Sequence, residues 1–221
     1  TTEIYTLSQH DALPISGKSL TLLTFLLFAF SCFQLATATV INFDAMILRA
    51  LHLGFGLFLI YVFYPTSTKW SRNKLHPVDL FLGAVALSGC LYLVINYKAI
   101  VLRAGLVNDT DFFVGVIMVI LVLEAARRVI GWPMVIIAVV FIIYAFFGRQ
   151  VPGLLAHRGI GANTFIQHQF YSGEGILGLP IGVSSTFIFL FLLFGAFLEK
   201  TGMGEFFIDI TNSIAGHKPG G

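Results

Sequence analysis

Glu124, Arg127 and Arg128 stand at positions i, i+3 and i+4 of one apolar run, so a single carboxylate can meet either guanidinium on the same helix face. An unpaired carboxylate inside the membrane edge is costly, and the neighbouring arginines supply the neutralisation it needs. The trio reads either as a self-paired anchor at the membrane edge or as a contact that docks this bundle onto another domain, and all three are helix-packing candidates. His52 falls inside a second apolar run. A haem would ask for a second axial ligand and a pocket, but His76, His157, His168 and His217 map to loops or ends, so His52 reads as a hydrogen-bonded interhelical histidine. Ser184, Ser185 and Thr186 follow Pro180 and Gly182 at the start of a third run. Their hydroxyls either line an ion or substrate path, or bond back to their own helix and pack across helices. The sequence offers no nucleophile–base pair, no metal-ligand spacing and no phosphate-binding glycine loop. It does not read as an enzyme, and it implies no catalytic, metal or cofactor site of its own.

The elements that must position these residues are membrane helices. An apolar fraction of 57%, charged residues at 11% and a mean hydropathy of +0.89 exclude an ordinary soluble domain and indicate an all-α integral membrane protein, with the lipid bilayer as its first partner. A net charge of +2 gives no reason to expect nucleic acid. Cys32 and Cys90 each sit inside an apolar run and read as small buried side chains. Gly54, Gly56, Gly83 and Gly89 read as close-packing positions between helices.

About six transmembrane helices are expected, over Leu20–Val40, Ile47–Tyr64, Val78–Tyr97, Phe112–Ile130, Met134–Phe147 and Ile181–Leu198. Ala36-Thr37-Ala38 resembles a signal-peptidase site, but the run before it is long for a signal peptide and reads as a retained first span. Residues Asn163–Tyr171 suggest a short surface helix. A C-terminal amphipathic helix follows over Gly204–Ala215, with Phe206, Phe207, Ile210 and Ile214 three or four apart on one face. It can lie in the membrane interface or brace other helices. Lys69, Arg72, Lys74 and His76 crowd the loop after the second span and place it in the cytoplasm by the positive-inside rule. On that topology both ends are cytoplasmic, and eight of the 13 lysines and arginines fall inside. Thr1–Ser16 begins without Met, has no apolar stripe and looks like translated sequencing-adaptor read-through. Residues 1–18 are accordingly set apart from the fold.

From Leu20 onward the chain resembles the fused membrane subunit of tripartite ATP-independent periplasmic (TRAP) transporters, in the branch that works with TAXI-type binding proteins. The likeness rests on Asn96-Tyr97-Lys98-Ala99-Ile100-Val101-Leu102-Arg103-Ala104-Gly105, on Leu123-Glu124-Ala125-Ala126-Arg127-Arg128-Val129-Ile130-Gly131-Trp132 and on Leu154-Leu155-Ala156-His157-Arg158-Gly159. Phe194-Gly195-Ala196-Phe197-Leu198-Glu199-Lys200-Thr201-Gly202, leading to Phe206-Phe207-Ile208-Asp209, is the most specific part. The resemblance implies a scaffold domain of four helices over residues 19–130, similar to the small subunit, and the start of the large permease domain over 131–221. It also implies secondary transport: a TAXI-type periplasmic substrate-binding protein delivers a small organic anion, and a sodium gradient drives import across a bacterial or archaeal cytoplasmic membrane. The family's ion and substrate sites lie in Gly- and Ser-rich re-entrant hairpins, expected beyond Gly221, so the chain reads as an N-terminal fragment of such a permease and no substrate-binding residue is assigned within it. The alternative is a complete accessory or scaffold subunit of another membrane complex.

Overall fold

The computed structural model describes residues 18–66, 76–103 and 105–215. The Thr1–Ser16 segment, the basic loop with Lys69, Arg72 and Lys74, and the C-terminal turn at His217–Gly221 lie outside the described residues. The helices are α1 (Lys18–Thr39), α2 (Ala45–Phe63), α3 (Pro77–Leu102), α4 (Asp109–Val129) and α5 (Trp132–Phe147). After them come α6 (Ala162–Phe170), then α7 (Leu179–Val183), which passes through a π-helical turn (Ser184–Ile188) into α8 (Phe189–Lys200), and finally α9 (Met203–Ala215). Local chemistry sets several ends. Asp44 caps α2, its carboxylate accepting the Met46 N–H at 2.9 Å, and α3 opens on Pro77, whose missing N–H costs nothing in a first turn. Between α4 and α5 the chain turns on Gly131 at φ 101°, a conformation that a side chain would strain.

Four stretches are long and apolar enough to cross a bilayer: Ala45–Phe63, Pro77–Leu102, Trp132–Gln150 and Leu179–Lys200. The other two expected crossings are also helical. The apolar part of α1, Leu23–Thr39, is shorter, and α4 carries Asp109 and Asp111 in its first turn and Arg127 and Arg128 in its last. Large apolar side chains point outward, Phe191 at 72% and Leu192 at 69% exposure, which is the surface that lipid covers and water would not tolerate. No strand occurs among the described residues. The chain is an all-α membrane protein.

α2 and α3 pack along their length, and α4 and α6 complete the core around Leu53, Leu57, Tyr61, Cys90, Leu93, Met118, Leu121 and Phe170. Three glycines permit this approach, and a methyl at Gly83 would stand 3.1 Å from the Phe58 ring. A methyl at Gly54 would stand 3.0 Å from the Cys90 Cβ, and one at Gly89 would collide with the Met118 thioether. Gly56 departs from its expected role, since no atom lies within 4 Å of where its Cβ would be. Cys90 is buried, but Cys32 is exposed, because among the described residues nothing covers the α1 face that carries it. Residues 162–170 form the expected short surface helix: Asn163, Thr164 and His168 are exposed, while Phe165, Ile166 and Phe170 are buried, with Ile166 seated against Gly115 of α4. Gly89→Leu should lower stability in detergent by roughly 1–3 kcal/mol through overpacking, whereas Gly56→Ala should leave the melting temperature unchanged or raised. Equal losses at both positions would contradict the packing described.

Candidate functional site

Three polar assemblies join these apolar helices, and the first lies at the C-terminal end of α4. Arg127 donates from Nε to Glu124 Oε2 and from Nη2 to Oε1, each at 2.7 Å, and Arg128 donates from Nε to Oε1 at 2.9 Å. Arg128 then reaches beyond its own helix. Its Nη1 donates to Asp79 Oδ1 of α3 at 2.7 Å and to the Tyr64 carbonyl at 2.8 Å, and its Nη2 donates to Thr66 Oγ1 at 2.7 Å. The Thr66 hydroxyl donates in turn to Asp79. The guanidinium sits 4.5 Å from the centre of the Tyr61 ring, and the Tyr61 hydroxyl donates to the Leu121 carbonyl at 2.8 Å. With the Arg128 side chain 1% exposed and that of Asp79 5% exposed, this is a desolvated ion pair whose fork is almost fully used. α2, α3 and α4 all close on one arginine.

The second assembly lies at the other end of α4. Asp111, 2% exposed, accepts from Arg103 Nη2 at 2.8 Å, from the Tyr92 hydroxyl at 2.7 Å and from the Asn108 N–H at 3.2 Å. The Tyr171 hydroxyl donates to the Asp111 carbonyl at 2.7 Å. Burial pushes the Tyr171 hydroxyl up from its ordinary range, and the Asp111 carboxylate adds to the effect. A cavity of about 150 Å³ opens beside this group, lined in part by Tyr97, Asp111, Gln167 and Tyr171.

The third assembly crosses mid-helix. His52 of α2, 8% exposed, meets the Gln34 amide of α1 through Nδ1 and the Ser184 hydroxyl of the π-turn through Nε2 at 3.1 Å. Ser185 and Thr186 donate back to the Gly182 carbonyl at 3.0 and 2.9 Å. Thus two of the three hydroxyls singled out in the sequence bond within their own helix, and one crosses to a neighbour.

The structure brings Glu124, Arg127 and Arg128 together as one group. Sequence reasoning missed Asp79, Thr66 and Gln34. Asp79 sits two residues after Pro77, where an acidic side chain is accounted for by the helix N-terminus, so nothing local announced a partner on α4. Gln34 did carry a signal, as an amide inside an apolar run. Chemically, the charged groups are committed to one another and can neutralise and orient. Among the described residues no three or more His, Cys, Asp or Glu side chains are grouped to hold a metal.

Compared with known proteins, residues 117–221 match the family model of the tripartite ATP-independent periplasmic transporter, DctM component. No curated protein and no solved structure matches the chain. The family match runs from within α4 to residue 221, just under half of the chain, and it supports a membrane component of a TRAP transporter.

Proposed function

We propose that this chain is part of a fused TRAP membrane subunit of the TAXI-associated branch, importing a small organic anion handed over by a periplasmic binding protein and driven by sodium. The observation that carries the reading is the DctM match over residues 117–221. In this reading α1 to α4 are the fixed scaffold, and the chain from about Gly131 begins the transporting part, whose ion and substrate sites lie beyond Gly221. The Asp79–Arg128 contact then fastens α3 to α4, while the Glu124–Arg127 pair neutralises charge within α4. The membrane is the cytoplasmic membrane of a bacterium or archaeon, with both ends of the described bundle and the Arg127–Arg128 end of α4 facing the cytoplasm.

Proteoliposomes that hold the membrane subunit containing this sequence, supplied with its binding protein, should accumulate one member of a panel of labelled small carboxylates. Accumulation should require both an inward sodium gradient and the binding protein. Uptake indifferent to either would overturn the corresponding part of the proposal. Orientation is tested separately by Asp109→Cys in a Cys32→Ala background, where a membrane-impermeant maleimide should label intact cells from outside. Labelling only after lysis would invert the topology.

A further inference from the structure

We propose that the π-helical turn Ser184–Ile188 is a two-register hinge, and that the hydrogen bond from His52 to Ser184 is the latch that holds its present register. The inference stands on the contacts around the turn and does not rest on the transport reading. The Phe189 N–H reaches back five residues to the Ser184 carbonyl, one more than an α-helix uses. Drawing that surplus residue into the α-helical ladder would rotate everything after it by roughly 100° and advance it by about 1.5 Å. Such turns are rare and concentrate where helices work.

α2 fastens the start of the turn, and α1 also packs on the turn and on α8. His52 grips Ser184 at 3.1 Å, and one turn earlier on α2 Arg49 donates to the Leu177 carbonyl at 3.0 Å, its guanidinium lying against Gly182. α2 therefore holds the segment leading into the turn and the first residue of the turn itself. Beyond it α8 has no buried residue, and only 6% of the apolar stretch Leu179–Lys200 is buried within the chain. Phe189 meets the Phe30 and His52 rings where α1 packs on α8, so a change of register would repack that contact but displace no buried residue of α8.

The latched register also carries a defect. Gln34, 2% exposed, uses its Nε2 on His52 and leaves its Oε1 without a hydrogen-bond partner. A buried acceptor without a partner among the described residues costs free energy at the latch. The hydroxyls of Ser185 and Thr186, both on the Gly182 carbonyl, supply acceptor satisfaction beside the turn and favour a local bend. A helix with one surplus residue, held at the first residue of its π-turn by His52 and carrying no buried residue after it, can exchange between two registers.

The test is a pulsed electron paramagnetic resonance distance between spin labels at Ser88→Cys on exposed α3 and Leu192→Cys on exposed α8, with Cys32→Ala and Cys90→Ala, in lipid nanodiscs. With His52 and Ser184 in place one distance is expected. Ser184→Ala should add a second population, displaced by as much as ~8 Å, the chord of that rotation on a helix about 10–12 Å across. Ser184→Thr, which keeps the hydroxyl, should return the single distance. His52→Phe should reproduce the second population, and if that variant does not fold, the Ser184 pair decides. An unchanged single distance in Ser184→Ala would overturn the hinge, and a second population in Ser184→Thr as well would overturn the hydroxyl as its latch.

Discussion

Arg128→Leu should cost roughly 3–5 kcal/mol, the usual effect of stranding one partner of a buried ion pair. The stranded group is Asp79, whose side chain is 5% exposed and, among the described residues, would keep the Thr66 hydroxyl and a longer bond from the Thr66 N–H at 3.4 Å. The Tyr64 carbonyl and Glu124 Oε1 would lose a donor in the same step. For a chain of this length the melting temperature should fall by about 2–4 °C for each kcal/mol lost, measured by thermal unfolding in detergent. Arg128→Lys should recover little, because an ammonium cannot serve four acceptors spread around a planar fork. The double variant Asp79→Leu/Arg128→Leu should recover most of the loss, since it removes both charges from a desolvated site. A double variant as unstable as the sum of the two singles would show that the pair is not coupled as the distances indicate.

Asp111→Ala is expected to be the next most damaging change, at about 3 kcal/mol. It strips one acceptor from three donors together, the Arg103 guanidinium, the Tyr92 hydroxyl and the Asn108 N–H. It also removes a negative charge from the first turn of α4, where the helix dipole favours one. Arg103 is 27% exposed and can recover part of its hydration, which holds this loss toward the lower end of the range for Arg128. Asp111→Asn keeps an acceptor and loses the charge, so it should cost about 1–2 kcal/mol. If Ala and Asn prove equally damaging, the charge is the whole of the contribution. If both are silent in thermal unfolding, the assembly is not holding α3 to α4.

Much of this fold is legible in the sequence, because a bilayer imposes length and apolarity on whatever crosses it. The runs at Ile47–Tyr64 and Val78–Tyr97 are helices at nearly those positions, although α3 continues to Leu102. The break at Gly131-Trp132-Pro133 separates α4 from α5, and residues 203–215 form the separate helix that the spacing of Phe206, Phe207 and Ile210 suggests. Contacts made between helices were less legible. The short surface helix expected at Asn163–Tyr171 is present, but its spacing did not show what its apolar face meets, with Ile166 set against Gly115 of α4. Asp79 and Arg128 are 49 residues apart, and no local spacing connects them. The π-turn left no mark either, since Ser184–Ile188 carries residues that an ordinary helix accepts. Gly56 shares a helix with Gly54, but only Gly54 faces α3, and that distinction depends on which face the neighbouring helix occupies.

The proposed reading holds α1 to α4 fixed while the transporting part moves, and a crosslink between α2 and α3 tests it most directly. The Tyr97 hydroxyl on α3 donates to the Asp44 carboxylate at the start of α2 at 2.7 Å, so Asp44→Cys and Tyr97→Cys place two thiols within reach of a short bis-maleimide. The uptake proposed for the membrane subunit should survive this crosslink unchanged. Uptake lost in the crosslinked double variant, but kept in each single-cysteine control treated alike, would contradict a fixed scaffold.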